Sequence, residues 1–279
     1  MALAREVLAV ARMELAEVLR SRWMVFCCTV YTLLAGVFVL VGLRESTLLG
    51  FSGMGRVLLS FCHALVLLLP LLALTATGQV VNRAREDGTL ELFFSQPLGR
   101  GAFFTAVTLV RYGVLVVPLV VLLVGMAVFG SMAFGQWVPW DFLSRAVGVS
   151  AALLFAFVGL GLAVSTLVRS QARAMIYLLT LWALGVALID FGLVGLMLQW
   201  RLNPRMVFLL AALNPVQAAR MALLSGVTPE LGVLGPVGFF LAHRLGGAVL
   251  FAVGTLWPLL VGLGSWAFAL RSFRRGDIV

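Results

Sequence analysis

The residues with chemistry to offer gather in one stretch, Asn82-Arg-Ala-Arg-Glu-Asp-Gly-Thr-Leu-Glu-Leu-Phe-Phe-Ser-Gln-Pro-Leu-Gly-Arg-Gly101. Its Arg83, Arg85, Glu86, Glu91 and Arg100 can form ion pairs, while Leu90, Leu92, Phe93 and Phe94 supply an apolar face for a partner's groove or for lipid. That is recognition chemistry. A short helix is expected over 89–95, started by the acidic Glu86-Asp87 turn at the positive end of its dipole and stopped by Pro97. The plainer reading is an amphipathic turn at the membrane interface with no partner.

Other ionisable or ligating residues are sparse. Asp190 follows Arg173 by seventeen residues, about 25 Å along a helix, which puts it near the far interface rather than at the centre of a proton relay. Arg111 lies roughly two turns or more into a hydrophobic run, from where its long side chain is expected to snorkel to the headgroups. His63 next to Cys62, and the scattered methionines, read as core packing, because no two such ligands recur on one face at the spacing copper or zinc needs. There is no HExxH, no GxSxG context, no GxxxxGK[ST] loop and no pair of acids within a hydrophobic run. An enzyme and an ion-coupled carrier are both disfavoured, no cofactor or metal is expected in this chain, and energy for any transport must come from another chain.

The elements that must position these residues are membrane helices. With 62% hydrophobic and 11% charged residues over 279 positions, the apolar surface exceeds what a soluble globule could bury. One all-α membrane domain over 1–279 is expected, with six spans near 23–43, 57–80, 102–130, 142–167, 174–191 and 246–270. Pro70, Pro118 and Pro258 fall inside spans and should kink them. Ahead of the first span, Leu3, Val7, Leu8, Leu15, Val18 and Leu19 recur at helical spacing with Arg5, Arg12, Glu17 and Arg20 opposite, an amphipathic surface helix blurred only by Val10 and Glu14. Those early charges are unlike a cleavable signal, so the first span is expected to remain. Residues 192–245 are too apolar for a free loop and are broken by Pro204, Pro215, Pro229 and Pro236. Short helices dipping into the outer leaflet fit, with Arg201, Arg205, Arg220 and Arg244 at the outer headgroups; a seventh and eighth crossing is the alternative. Cys27, Cys28 and Cys62 all lie in apolar runs and read as buried thiols.

All twenty cationic side chains are arginines. Thirteen, counting Arg111, fall on one side of this topology and seven on the other, so both termini are expected in the cytoplasm, with 44–56, 131–141 and 192–245 facing outward. The arginines flank hydrophobic runs rather than interleaving with aromatics, which points to headgroups and not to nucleic acid.

Glu86, Gly88, Thr89, Leu90, Glu91, Leu92, Ser95, Pro97 and Arg100 appear in the order of the cytoplasmic E-x-GTLE-L-L-x-S-x-P-x-x-R motif, after the second span. In this the chain resembles the permease subunits of type-2 ABC transporters, and the resemblance extends to Leu213-Asn-Pro215 with Arg220 and to Phe273-Arg-Arg275. It implies a coupling helix among Arg83, Arg85, Glu86, Gly88, Thr89, Glu91, Pro97 and Arg100 that docks, with the N-terminal helix, on a separate ATPase holding ATP and Mg. Arg169 and Arg173 are expected as a second contact. It also implies short re-entrant outer helices around Asn214, Pro215 and Arg220, a homodimer in the bacterial inner membrane surrounded by lipid, and room for a periplasmic accessory protein. Within the family, Pro97-Leu-Gly-Arg-Gly101 and Phe191 after Asp190 look most like the Nos-type permeases that serve copper-site maturation of nitrous-oxide reductase. Many relatives carry a lysine one turn into the third span, where this chain has none. An exporter of a hydrophobic compound, lipid or polysaccharide remains the alternative, as does a component that transmits ATPase motion without passing anything through; a lone secondary carrier is the third class.

Overall fold

The structure is a computed structural model that describes residues 2–49, 51–134, 140–188, 212–227 and 246–276. Among the described residues every regular element is helical. Helix α1 (Ala2–Arg20) is followed by α2 (Arg22–Leu49), α3 (Phe51–Thr77), α4 (Val80–Glu86), α5 (Thr89–Phe94), α6 (Arg100–Phe134), α7 (Trp140–Leu167) and α8 (Gln171–Trp182). A π-helical segment, Ala183–Leu188, extends α8, and α9 (Pro215–Val227) and α10 (Gly246–Arg275) complete the order. Helices are what apolar runs of this length must form in hydrocarbon, because only the helix satisfies its own backbone groups there. Four helical stretches among the described residues are long and apolar enough to cross a membrane, and a fifth results if α1 and the first part of α2, bent by 66°, are taken together. The chain is a multi-pass membrane protein, all-helical among the described residues.

Several boundaries differ from those read in the sequence. The connection 44–56 is helical almost throughout, because nothing in Arg44-Glu-Ser-Thr-Leu-Leu49 breaks a helix once it has left the apolar layer. The run 57–80 is interrupted at Gly78-Gln79, where α3 stops and α4 starts. The position a Gly78 Cβ would take is filled by the side chain of Leu178, so α8 seats against this break. The last part of the 174–191 run, with Asp190 and Phe191, lies outside the described residues, as do Arg201, Arg205, Arg244 and the side chain of Cys62.

The core centres on α7, which packs against α3, α6, α9 and α10. Small residues set the spacing. A Cβ on Gly159 would lie 2.6 Å from the Gly262 carbonyl oxygen, and one on Gly262 would lie 2.9 Å from that of Phe155, so α7 and α10 touch backbone to backbone. Tyr31 and Trp182 donate to the carbonyls of Leu115 (3.2 Å) and Leu67 (3.1 Å), in the turns that precede Pro118 and Pro70. Helix α8 is peripheral, burying only a stripe of Ala174 and Leu178, with Val186 beyond, and exposing Ile176, Tyr177 and Leu179. Cys27 is buried as expected, but Cys28 on the neighbouring face is exposed.

Helix α9 is packed into the bundle. Val216, Ala218, Ala219, Ala222 and Leu223 are all buried, and the helix packs on α10, α7 and α3. Asn214 is its N-cap, its Oδ1 accepting from the Val216 N–H (2.9 Å), and Pro215 takes the first helical position, where a missing N–H costs nothing. The Asn214 amide also donates to the Gly185 carbonyl (2.6 Å) in the π-helical segment, tying α9 to the extension of α8. Arg220 is half-buried beside Gln217, toward whose Oε1 its Nη1 donates (3.5 Å).

Candidate functional site

One end of the bundle collects the arginine-rich connections. Helix α4 is held there by two bonds to the end of α7: the Val81 N–H donates to Ser165 Oγ (2.9 Å) and Arg85 Nη1 to the Thr166 carbonyl (3.3 Å). An acid from α4 then reaches the next helix. Glu86 accepts from the backbone N–H of Gln171 (3.1 Å) and from its side-chain amide (2.5 Å), capping α8. Asp87 faces Arg83 at 3.4 Å, an exposed pair that contributes little. Neither acid starts α5, in contrast to the sequence expectation. Its N-cap is Gly88, at φ 70°, a left-handed conformation in which a side chain would be strained. The Asp87 and Gly88 N–H groups close on the carbonyls of Arg83 and Arg85, and Thr89 Oγ1 donates to Ala84 O (3.0 Å), so α4 and α5 form a fixed hairpin.

The faces of α5 divide sharply. Leu90 is buried, and Phe93 and Phe94 pack inward with Phe103 and Phe273, with ring centroids 5.4 to 6.1 Å apart. Of the four apolar residues offered by the sequence to a partner, only Leu92, 70% exposed, is available; beside it Glu91, Ser95, Gln96 and Pro97 are exposed. Arg100 is consumed internally, its Nη1 donating to the carbonyls of Arg274 and Gly276 (3.0 Å each) while its guanidinium lies 5.9 Å from the Phe94 ring centre. Arg274 in turn covers Gly101, where any Cβ would collide with it. Arg83, Arg169 and Arg173 are exposed around the hairpin and on the α7–α8 turn.

Helix α1 borders this end and then runs along α6. Its apolar sector is split: Val7, Val10, Ala11 and Val18 pack toward the bundle, whereas Leu8, Leu15 and Leu19 stay open. Arg5, Arg12, Glu17 and Arg20 are exposed. Two acids of α1 address α6. Glu6 accepts from the Gly99 N–H (3.3 Å), just before the first turn of α6, and Glu14 pairs with Arg111 through Nη2 (2.6 Å) and Nε (2.8 Å). Arg111, expected from the sequence to reach for headgroups, is held by a carboxylate from α1. Glu14, which blurred the amphipathic pattern, was the signal for this contact.

Asn214, Pro215 and Arg220 lie elsewhere. Gly185, the partner of Asn214, is fourteen residues beyond Gln171, about 21 Å along the helix from the arginine-rich end. Among the described residues no three His, Cys, Asp or Glu side chains are grouped as metal ligands would be. The arginine-rich end instead offers an anchored hairpin with a free rim of mixed charge, the chemistry of protein docking.

Two comparisons bear on what docks. The chain is 28% identical over 274 residues to a probable ABC transporter permease protein NosY of Stutzerimonas stutzeri, covering 95% of this chain and 97% of that protein. It is 29% identical over 223 residues to a probable ABC transporter permease protein NosY of Pseudomonas aeruginosa, covering 78% of this chain and 81% of that one. Residues 8–277 match the family described as ABC-2 family transporter protein. Since that match runs from the first half of α1 past the end of α10, taking in the hairpin and every span, the chain belongs to the ABC-2 family of transporter proteins.

Proposed function

We propose that this permease couples ATP hydrolysis in a separate ATPase subunit, which holds the ATP and Mg, to export of a substrate or to remodelling of a periplasmic partner. The observation that carries the reading is the division of α5. Leu90, Phe93 and Phe94 anchor it to the bundle while Glu91 and Leu92 project from it, so a force on the exposed rim is delivered to α6 and α10 rather than lost in a loose loop. Arg83, Arg169 and Arg173 surround that rim with positive charge suited to an acidic contact on the ATPase. In this reading the arginine-rich end is cytoplasmic, two permeases and two ATPases assemble in the inner membrane, and α1 lies between lipid and bundle with Leu8, Leu15 and Leu19 toward lipid. The Nos-type resemblance nominates the copper-site maturation apparatus of nitrous-oxide reductase as the periplasmic client.

Co-purification with the cognate ATPase tests the reading, comparing wild type with Glu91→Arg and Gly88→Pro. The exposed Glu91 side chain makes no hydrogen bond or ion pair among the described residues, so Glu91→Arg is expected to leave folding unchanged and release the ATPase. An ATPase that binds regardless of the hairpin would remove the mechanical basis of the proposal.

A further inference from the structure

We infer that Glu14 and Arg111 form the joint through which movement of the ATPase-facing elements reaches the spans, making them positioning residues for the coupling proposed above, on which this inference rests. Three elements meet at the Arg111 guanidinium. Its Nη2 and Nε hold the Glu14 carboxylate of α1, and its Nη1 donates to the Ala76 carbonyl (3.4 Å) in the last turn of α3. That carbonyl belongs to the set a helix end leaves without intrahelical donors, and the negative end of the α3 dipole favours a cation there. Immediately after it comes the Gly78-Gln79 break and then the α4–α5 hairpin. Arg111 thus grips, from α6, both α1 and the root of the hairpin, the two parts assigned to ATPase contact.

The environment makes the grip stiff. The side chains of Arg111 and Glu14 are only 16% and 13% exposed, so separating them strands a charge in a poorly solvated place. Val18 of α1 packs with Val110 and Val114 of α6 on the other side of the pair, and Glu6 meets the start of α6. Helix α1 is bent 66° from α2, so nothing in a continuous helix would carry its displacement into the bundle. The cross-link to α6 does so, and because Arg111 lies eleven residues beyond Arg100, about 17 Å along α6, the force enters below the surface and acts on the span itself.

The test is hydrogen exchange of the nanodisc-embedded complex with its ATPase, with and without ATP in a hydrolysis-deficient ATPase. Protection of peptides covering α1 and α5 reports docking; nucleotide-dependent change in α6 beyond Arg111 reports transmission. In Glu14→Gln and Arg111→Lys, docking protection is expected to persist and the α6 response to fall at least threefold. An undiminished α6 response with docking intact would overturn the joint while leaving the coupling reading in place. Absence of docking protection in wild type would overturn that reading and the joint with it.

Discussion

Glu86 lies across the start of α8, one carboxylate oxygen 3.1 Å from the backbone nitrogen of Gln171 and the other 2.5 Å from its side-chain amide nitrogen. Ser170, the residue in the N-cap position, makes no such bond with its own hydroxyl, so the cap of α8 is supplied from α4. This links the hairpin to the turn carrying Arg169 and Arg173 by charge rather than by packing.

Glu86→Ala should therefore lower stability by about 1 kcal/mol, the usual worth of a capping group with a favourable dipole interaction. Glu86→Gln, which keeps an acceptor and loses the charge, should cost about half as much. Thermal unfolding in detergent measures both, and the gap between wild type and Gln should narrow at high salt because the pair is exposed.

At Gly88 the cost of a side chain is conformational. No atom lies within 4 Å of a Cβ built there, yet φ is 70°. Gly88→Ala is expected to destabilise by about 1 kcal/mol, and Gly88→Asn by less, since Asn tolerates the left-handed region. Equal losses for the two variants would show that the turn had shifted.

Gly262 and Gly264 make an internal comparison on α10. A Cβ at Gly262 would press on the Phe155 ring at 2.5 Å and on its carbonyl oxygen at 2.9 Å, whereas one at Gly264 meets nothing within 4 Å. Gly262→Ala should cost about 1–3 kcal/mol through overpacking and separate α7 from α10, while Gly264→Ala should be neutral or slightly stabilising. Unfolding midpoints of the two variants side by side decide this.

Phe273 closes the aromatic cluster from the C-terminal end, 5.4 Å from Phe104 and 6.1 Å from Phe94 and Phe103 between ring centres. Phe273→Ala should cost about 3 kcal/mol. Because Arg100 is tied to the same end of α10, limited trypsin digestion should then cut at Arg100 faster than in wild type.

The sequence by itself determined what depends on each residue's own transfer energy and its near neighbours. Long uninterrupted apolar runs dictated membrane helices, and Pro97 marked the stop of a short helix that is observed over Thr89–Phe94. Tertiary structure decided the pairings between distant residues: Glu14 with Arg111 and Arg100 with the carbonyls of Arg274 and Gly276. It likewise chose which apolar side chains of α1 and α5 turn inward. Hydropathy cannot make that choice, because in lipid an apolar side chain is content on either face, and shape and small-residue contacts select the face that packs. A charge near the bilayer has no such freedom. It needs a partner, and which one is fixed only when folding brings residues 97 apart in the chain into contact.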